Sequence, residues 1–269
     1  WRPMTISDEE FSKVINLITQ RTGNQLRDSY IMGLRRYIER KPAFDIKNES
    51  DVEDIINEAT VNETYFFREE KQFDALKDYF FPEWKKAHGL VPLKIWSAAS
   101  STGEEIYSIA AFAKYLGMNV ELSASDINTA VLKKLESGYF MPKTGRHFDG
   151  DEYRNIISCY LKPDGSYEFP PEFSRSIKTM QVNLYDFAFA GKAFNHPAEQ
   201  NLIFIRNVFI YFDRETRGRI LKGIAEHALA TDGYLFVSIS EVASFDAEII
   251  PSCLEKIRVG GIYCFHKKK

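Results

Sequence analysis

Leu93-Lys94-Ile95-Trp96-Ser97-Ala98-Ala99-Ser100-Ser101-Thr102-Gly103-Glu104-Glu105 changes character twice. The apolar run to Trp96 reads as a buried strand, the small residues from Ser97 to Gly103 as a turn, and Glu104 to Leu116 as a helix. Small side chains at a strand-to-helix turn let a ligand approach the backbone. The turn holds one glycine, not the three of a dinucleotide fingerprint, and lacks the lysine of a phosphate loop. Glu104 and Glu105 would repel phosphate but suit a ligand with cationic groups. The same two carboxylates also serve simply to cap a helix start.

The alternation recurs outward from this stretch. Val120 to Ala124 and Leu202 to Ile205 read as strands, Asn128 to Ser137 and Arg214 to Ala230 as helices, and Tyr234 to Val237 as a further strand. Alternating strands and helices predict an α/β fold with a doubly wound parallel sheet. Gly260-Gly261 between Val259 and Ile262 predicts an antiparallel hairpin at the C-terminal end. In the other direction, Ser7-Asp8-Glu9-Glu10 has capping-box spacing ahead of Phe11, Val14, Ile15 and Ile18, with Gly23 as a stop. A second helix carries Ile31, Leu34 and Ile38, and a third begins at Ser50-Asp51-Val52-Glu53. The expected organisation is a small all-helical domain over residues 1–60, a linker and connecting helix over 61–90 that ends near Phe81-Pro82, and an α/β domain over 91–269. Residues 139–182, with turns at Pro163-Asp164-Gly165 and Pro170-Pro171, read as an inserted subdomain.

Bulk properties narrow the function. Thirty-five basic against 38 acidic residues, net charge -3, provide no general positive field for nucleic acid. Three scattered cysteines, Cys159, Cys253 and Cys264, have no C-x-x-C spacing, which argues against a disulfide framework or a metal site and favours a reducing cytoplasm. No uncharged apolar run is long enough for membrane insertion, and Trp1-Arg2-Pro3 ahead of Met4 reads as a remnant foreign to the native start.

Ligands of open α/β sheets gather beyond the carboxyl ends of the strands. Asp126, after the second strand, is placed to accept from both hydroxyls of a ribose, or equally to cap the next helix. Arg206-Asn207-Val208-Phe209-Ile210-Tyr211-Phe212 puts polar groups into an apolar run after another strand. Asn62-Glu63-Thr64-Tyr65-Phe66-Phe67-Arg68 joins the helical and α/β segments as an interdomain lid or a packed linker.

Four motifs, Asn-Glu-Thr-x-Phe-Phe-Arg (62–68), Trp-Ser-Ala-Ala-x-Ser-Thr-Gly-Glu-Glu (96–105), Ala-Ser-Asp-Ile (124–127) and Arg-Asn-Val-x-Ile-Tyr-Phe (206–212), stand in the order seen in CheR-type chemotaxis methyltransferases. The chain resembles that family over essentially its whole length. The resemblance implies a Rossmann-like S-adenosylmethionine methyltransferase sheet, with residues 139–182 forming a small β-subdomain, and S-adenosylhomocysteine as product. It implies that Asn62, Thr64 and Arg68 reach the cofactor from the linker, that Glu105, Asp126, Asn183, Leu184, Asn207 and Val208 line its cleft, and that Arg68 and Tyr211 lie nearest the transferred methyl. The expected acceptors are glutamate side chains of methyl-accepting receptors, with Arg35, Arg36, Arg40 and Lys41 of the second helix facing the acidic receptor helix, and a monomeric enzyme. The family usually has proline where Ile106 stands and Gly-His-Ser-Glu where this chain has Ser238-Ile239-Ser240-Glu241; the stretch after Tyr139 matches poorly.

A glutamate acceptor, with an unperturbed pKa of about 4.3, is already a nucleophile at neutral pH, so positioning rather than base catalysis is expected to dominate. Two other readings share these residues: a methyltransferase of the same fold with another acceptor, and a sensor or scaffold that binds S-adenosylmethionine or S-adenosylhomocysteine without turnover.

Overall fold

The structure is a computed structural model and describes residues 6–142, 148, 150–189 and 195–269, apart from the side chain of Ser29. Trp1-Arg2-Pro3 lies outside the described residues. Three helices come first: α1 (Asp8–Thr22), α2 (Asp28–Arg40) and α3 (Glu49–Ala59). Ser7 and Glu10 form the reciprocal capping box, and Gly23 closes α1 with φ 69°. A Cβ at Gly23 would fall 2.3 Å from the Tyr185 ring, so only glycine fits this close approach. The third helix starts one residue before Ser50, because Asn48 is its N-cap and accepts from the Ser50 N–H. Phe11, Val14, Ile18, Leu34, Ile38 and Ile55 bury one another in a cluster of their own.

The connecting helix does not end at Phe81-Pro82. Helix α4 (Glu70–Ala75) runs through a π-helical turn, Leu76–Phe80, directly into α5 (Phe81–His88). Pro82 has no N–H to offer the preceding turn, and the wider turn ahead of it absorbs that mismatch.

The α/β part contains β1 (Leu93–Ala98), α6 (Glu104–Tyr115), β2 (Val120–Asp126), α7 (Thr129–Ser137), β3 (Tyr139–Phe140), α8 (Asp151–Ser158), β4 (Tyr167–Glu168), α9 (Pro171–Ser176), β5 (Ile177–Gln181), β6 (Gln200–Ile205), α10 (Arg214–His227), β7 (Leu229–Phe236), β8 (Leu254–Val259) and β9 (Ile262–Lys267). Seven strands form one sheet in the order β5-β2-β1-β6-β7-β9-β8. All neighbours from β5 to β7 are parallel, and β9 runs antiparallel to both β7 and β8. The Gly260-Gly261 turn has both φ values positive, 57° and 82°, as a tight hairpin between β8 and β9 requires.

The sheet sets one limit on the inserted segment. Strand β5, within residues 139–182, pairs with β2 as the edge strand of the main sheet. Only Ile177 of its five residues is buried, the pattern of an edge and not of a central strand. The two-stranded sheet β3-β4 stands apart, with Phe140 and Phe169 packed around Phe66 of the linker. Two cores flank the main sheet: one gathers Phe73, Tyr107, Phe112 and Phe204, the other Trp96, Ile203, Ile220 and Phe265.

Candidate active site

Strand order reverses at β1, which has β2 and β5 on one side and β6 and β7 on the other. Such a reversal opens a crevice at the carboxyl edge, because the connections leave in opposite directions. A cleft of about 1070 Å³, including its open mouth, lies there. Its floor comes from the ends of β1, β2, β5 and β6, its roof from residues 59–68, and one wall from residues 22–30. Asn62, Thr64, Arg68, Glu105, Asp126, Asn183, Leu184, Asn207, Val208 and Tyr211 all line it.

The loops at the carboxyl edge are held in uncommon conformations. Ala99, Ser101 and Asn207 have φ of 59°, 52° and 58°, and all three line the cleft. Left-handed non-glycine residues cost about 1 to 3 kcal/mol each and persist only where their surroundings impose them. Here they turn backbone toward the cavity. Ser101 N–H donates to Asp126 Oδ2 at 2.8 Å and Asn128 N–H to Oδ1 at 2.9 Å. Asp126 therefore braces two loops; the N-cap of α7 is Asn128, not Asp126. Burial raises the Asp126 pKa, while the backbone donors oppose the shift.

Arg206 is the electrostatic centre of the site. Its side chain is 3% exposed and sits between two carboxylates, Glu105 Oε2 at 2.9 Å and Glu69 Oε2 at 3.2 Å. It also donates to the carbonyl of Arg68. Glu105 takes a further bond from Ser97 Oγ at 2.6 Å. Glu69 accepts from Ser238 Oγ at 2.7 Å and Ile239 N–H at 3.1 Å. The group of three carries one excess negative charge at its formal ionisation. Glu241 stands beside it, accepting from the N–H groups of Asn207, Ser238 and Ile210, with its pKa raised by burial.

The helical segment closes the other side. Gln25 N–H donates to the Tyr211 carbonyl at 3.0 Å. Asn183 Nδ2 donates to the Arg21 carbonyl at 2.7 Å while its Oδ1 accepts from Tyr185 N–H, so its side chain is engaged in tying α1 to the sheet. Arg68 Nη1 donates to the Glu63 carbonyl at 2.9 Å, and its guanidinium lies 5.4 Å from the centre of the Tyr65 ring. Tyr211 is pushed above its usual pKa by burial and then by Tyr30, so its hydroxyl stays protonated at neutral pH.

Residues 62–255 match the family described as CheR methyltransferase, SAM binding domain. The chain belongs to the CheR methyltransferase family. It is 32% identical over 257 residues to the "Chemotaxis protein methyltransferase" of Salmonella typhimurium, covering 88% of this chain and 85% of that one. Against the protein of the same name from Escherichia coli it is 32% identical over 264 residues, covering 88% and 86%. Against "Chemotaxis protein methyltransferase 2" of Vibrio cholerae it is 33% identical over 199 residues, covering 72% and 67%. The chain is thus an S-adenosylmethionine-dependent methyltransferase.

Two departures from the usual CheR residues have structural accounts. Ile106 is fully buried in α6 and adds to the core beneath the sheet. Ser238, in place of glycine, uses its hydroxyl to accept from Asn207 Nδ2 at 3.1 Å and donate to Glu69, knitting linker to sheet. The chemistry of the lining, acidic Glu105 and Asp126 beside apolar Ile127, Val182, Leu184 and Val208, fits a ligand that joins cationic groups to an aromatic base. Ser101 Oγ is buried at the cleft with no protein partner, available to a bound ligand. The reading from sequence did not single out Glu69, Arg206 as a side chain, Glu241 or Arg27. Of the first three, Arg206 and Glu241 stand within quoted stretches and Glu69 directly after one, but their burial is a tertiary fact.

The four-residue basic cluster of α2 is divided. Arg35 pairs with Asp8 at 2.6 Å and with Glu39, and Lys41 pairs with Asp51 at 2.7 Å and with Asp54. Arg36 and Arg40 are exposed and form no ion pair among the described residues. None of the described helices is long and apolar enough to cross a membrane.

Proposed function

We propose that the protein methylates glutamate side chains of chemotaxis receptors, giving glutamate methyl esters and S-adenosylhomocysteine, as a monomer in the cytoplasm. The observation that carries this reading is the convergence of linker, sheet edge and helical wall on one cleft that is acidic at Glu105 and Asp126 and bears the guanidinium of Arg68. Acidic groups suit a cationic methyl donor, and a guanidinium suits an anionic acceptor.

Asp126 holds the ribose hydroxyls, Glu105 draws the cationic portion, and Asn62, Thr64 and the backbone of Asn183, Leu184, Asn207 and Val208 complete the cradle. When bound, S-adenosylmethionine supplies a methyl on a cationic sulfur, which the acceptor oxygen takes, leaving the neutral thioether. Arg68 orients the acceptor through its planar fork. Tyr211, protonated and half-buried, shapes the surroundings of the methyl without removing a proton. No general base is required, because the acceptor is ionised at neutral pH. Fixing the reactants can supply roughly 7 to 11 kcal/mol of barrier reduction. On the outer face, Arg36 and Arg40 supply the free charge for an acidic receptor helix.

The test is incubation with methyl-labelled S-adenosylmethionine and receptor cytoplasmic fragments from the same organism, followed by mild base. Label released as methanol supports the reading; label that stays on the cofactor despite tight binding by calorimetry removes the receptor assignment.

A further inference from the structure

Arg27 lines the cleft from the helical side, and its guanidinium lies 5.8 Å from the centre of the Tyr211 ring. Its root is fixed at three points: its carbonyl accepts from Tyr30 N–H at 2.9 Å and Ile31 N–H at 3.2 Å, and Gln25, two residues before it, is bonded to the Tyr211 carbonyl. The position is therefore set by the fold, although the side chain itself is exposed. Neighbouring cations are neutralised, Arg21 by Glu49 and Arg35 by Asp8. Arg27 forms no ion pair among the described residues, and neither does Arg68. Both act on the charge state of Tyr211 from nearby, one from the helical segment and one from the linker.

Two unneutralised guanidiniums beside one tyrosine, in a cleft whose remaining arginine, Arg206, is paired with Glu69 and Glu105, define a second charge zone. The sulfonium and ammonium of the donor are repelled from it, whereas a carboxylate is attracted. We propose that Arg27 is a specificity-determining residue that holds the acceptor carboxylate together with Arg68. This rests on the glutamate-acceptor reading above and assigns half of the acceptor site to the helical segment. A guanidinium can fix the plane of a carboxylate through its fork; a second donor from another element adds a contact from a different direction and narrows which oxygen is presented to the methyl. A neutral amide side chain would lose the charge-assisted component of both contacts, so glutamine at the same receptor position would be discriminated against.

The experiment compares wild type, Arg27→Ala and Arg27→Lys in the full chain, using receptor cytoplasmic fragment, methyl-labelled S-adenosylmethionine and base-released methanol. Expected is a rise in KM for the fragment of about tenfold or more in Arg27→Ala, a smaller rise in Arg27→Lys, and a flatter dependence of KM on salt in Arg27→Ala. The Kd for S-adenosylhomocysteine by calorimetry should remain within about twofold, since Arg27 serves the acceptor and not the cofactor. An unchanged KM in Arg27→Ala overturns the proposal, as does a parallel loss of S-adenosylhomocysteine affinity, which would make Arg27 part of the cofactor pocket or its support. Absence of methanol from wild type itself marks failure of the receptor reading and takes this inference with it.

Discussion

Arg206 donates to Glu105 across 2.9 Å, joining the end of β6 to the first turn of α6 with only 3% of the arginine side chain exposed. The same guanidinium reaches Glu69 and the Arg68 carbonyl, so the acidic end of the cleft and the linker that carries Arg68 share one support. Removing it leaves two carboxylates in a largely dry site. Arg206→Met is expected to lower stability by about 3 to 5 kcal/mol, the usual effect of breaking a buried ion pair from one side. Urea denaturation checks this, and a loss under about 1 kcal/mol would show that water or rearrangement compensates the two acids.

Asp126→Asn keeps an acceptor for one of the two loop N–H groups but turns an amide toward the other. It also removes the charge on which the proposed ribose contact depends. Hydrogen bonds to charged groups contribute about 1.5 to 3 kcal/mol, so S-adenosylhomocysteine affinity should fall roughly ten- to hundredfold. Calorimetry with unchanged affinity would remove Asp126 from the cofactor site.

Arg68→Ala should lower kcat about a hundredfold, the scale of a mispositioned reactant, and weaken S-adenosylhomocysteine binding as well, since Arg68 is expected to reach the cofactor from the linker. Tyr211→Phe should lower kcat less, and neither variant should introduce a pH dependence. Because burial holds the Tyr211 hydroxyl protonated and the acceptor titrates near its ordinary value, kcat/KM is expected to be flat from about pH 6 to about pH 9. A rise in kcat/KM with an apparent pKa near 7 would point to a general base.

The Glu241 carboxyl is raised above the ordinary range by burial. The folded state therefore binds its proton more tightly than the unfolded chain does. Between the unfolded pKa, about 4.3, and the higher folded one, stability falls as pH rises. Glu241→Gln lacks this slope, although it also loses a good acceptor for the Asn207 and Ser238 N–H groups. The excess Tm of wild type over the variant should shrink as pH is raised from about 4 to about 7; an excess that grows over that window contradicts the effect of burial.

Gly103 has φ 101°, and an added Cβ would lie 2.6 Å from Leu135 Cγ. Gly103→Ala combines backbone strain with a clash against α7 at the turn that leads into Glu104. A loss of more than about 1 kcal/mol is expected, together with weaker cofactor binding, measured by urea denaturation and calorimetry.

Much of this arrangement is written locally. Leu93 to Glu105 announces strand, turn and helix through residue size alone, and the capping residues around α1 need no tertiary information. Strand β5 is less visible because Ile177-Lys178-Thr179-Met180-Gln181 lies at a sheet edge, where solvent on several sides permits polar residues. The continuation of the connecting helix past Pro82 depends on a π turn, which has no local pattern of its own. The partnership of Arg206 with Glu69 and Glu105 is hidden for another reason: an ion pair between residues 101 or 137 positions apart leaves no periodicity. The motifs place Asn62, Asp126 and Asn207 near one another only through resemblance. Their common cleft becomes visible once the sheet order is known.

The bonds that close the linker onto the sheet join residues far apart in the chain: Arg206 to Arg68 across 138 positions, Ile239 to Glu69 across 170. During synthesis, when residues emerge at roughly 5 to 20 per second, Glu69 leaves the ribosome well before either of its partners exists. A nascent chain can bury the apolar faces of its first three helices early, yet its cleft stays open until Ile239 has been added. Closure of the linker over the cleft is thereby reserved for chains whose translation has passed Ile239.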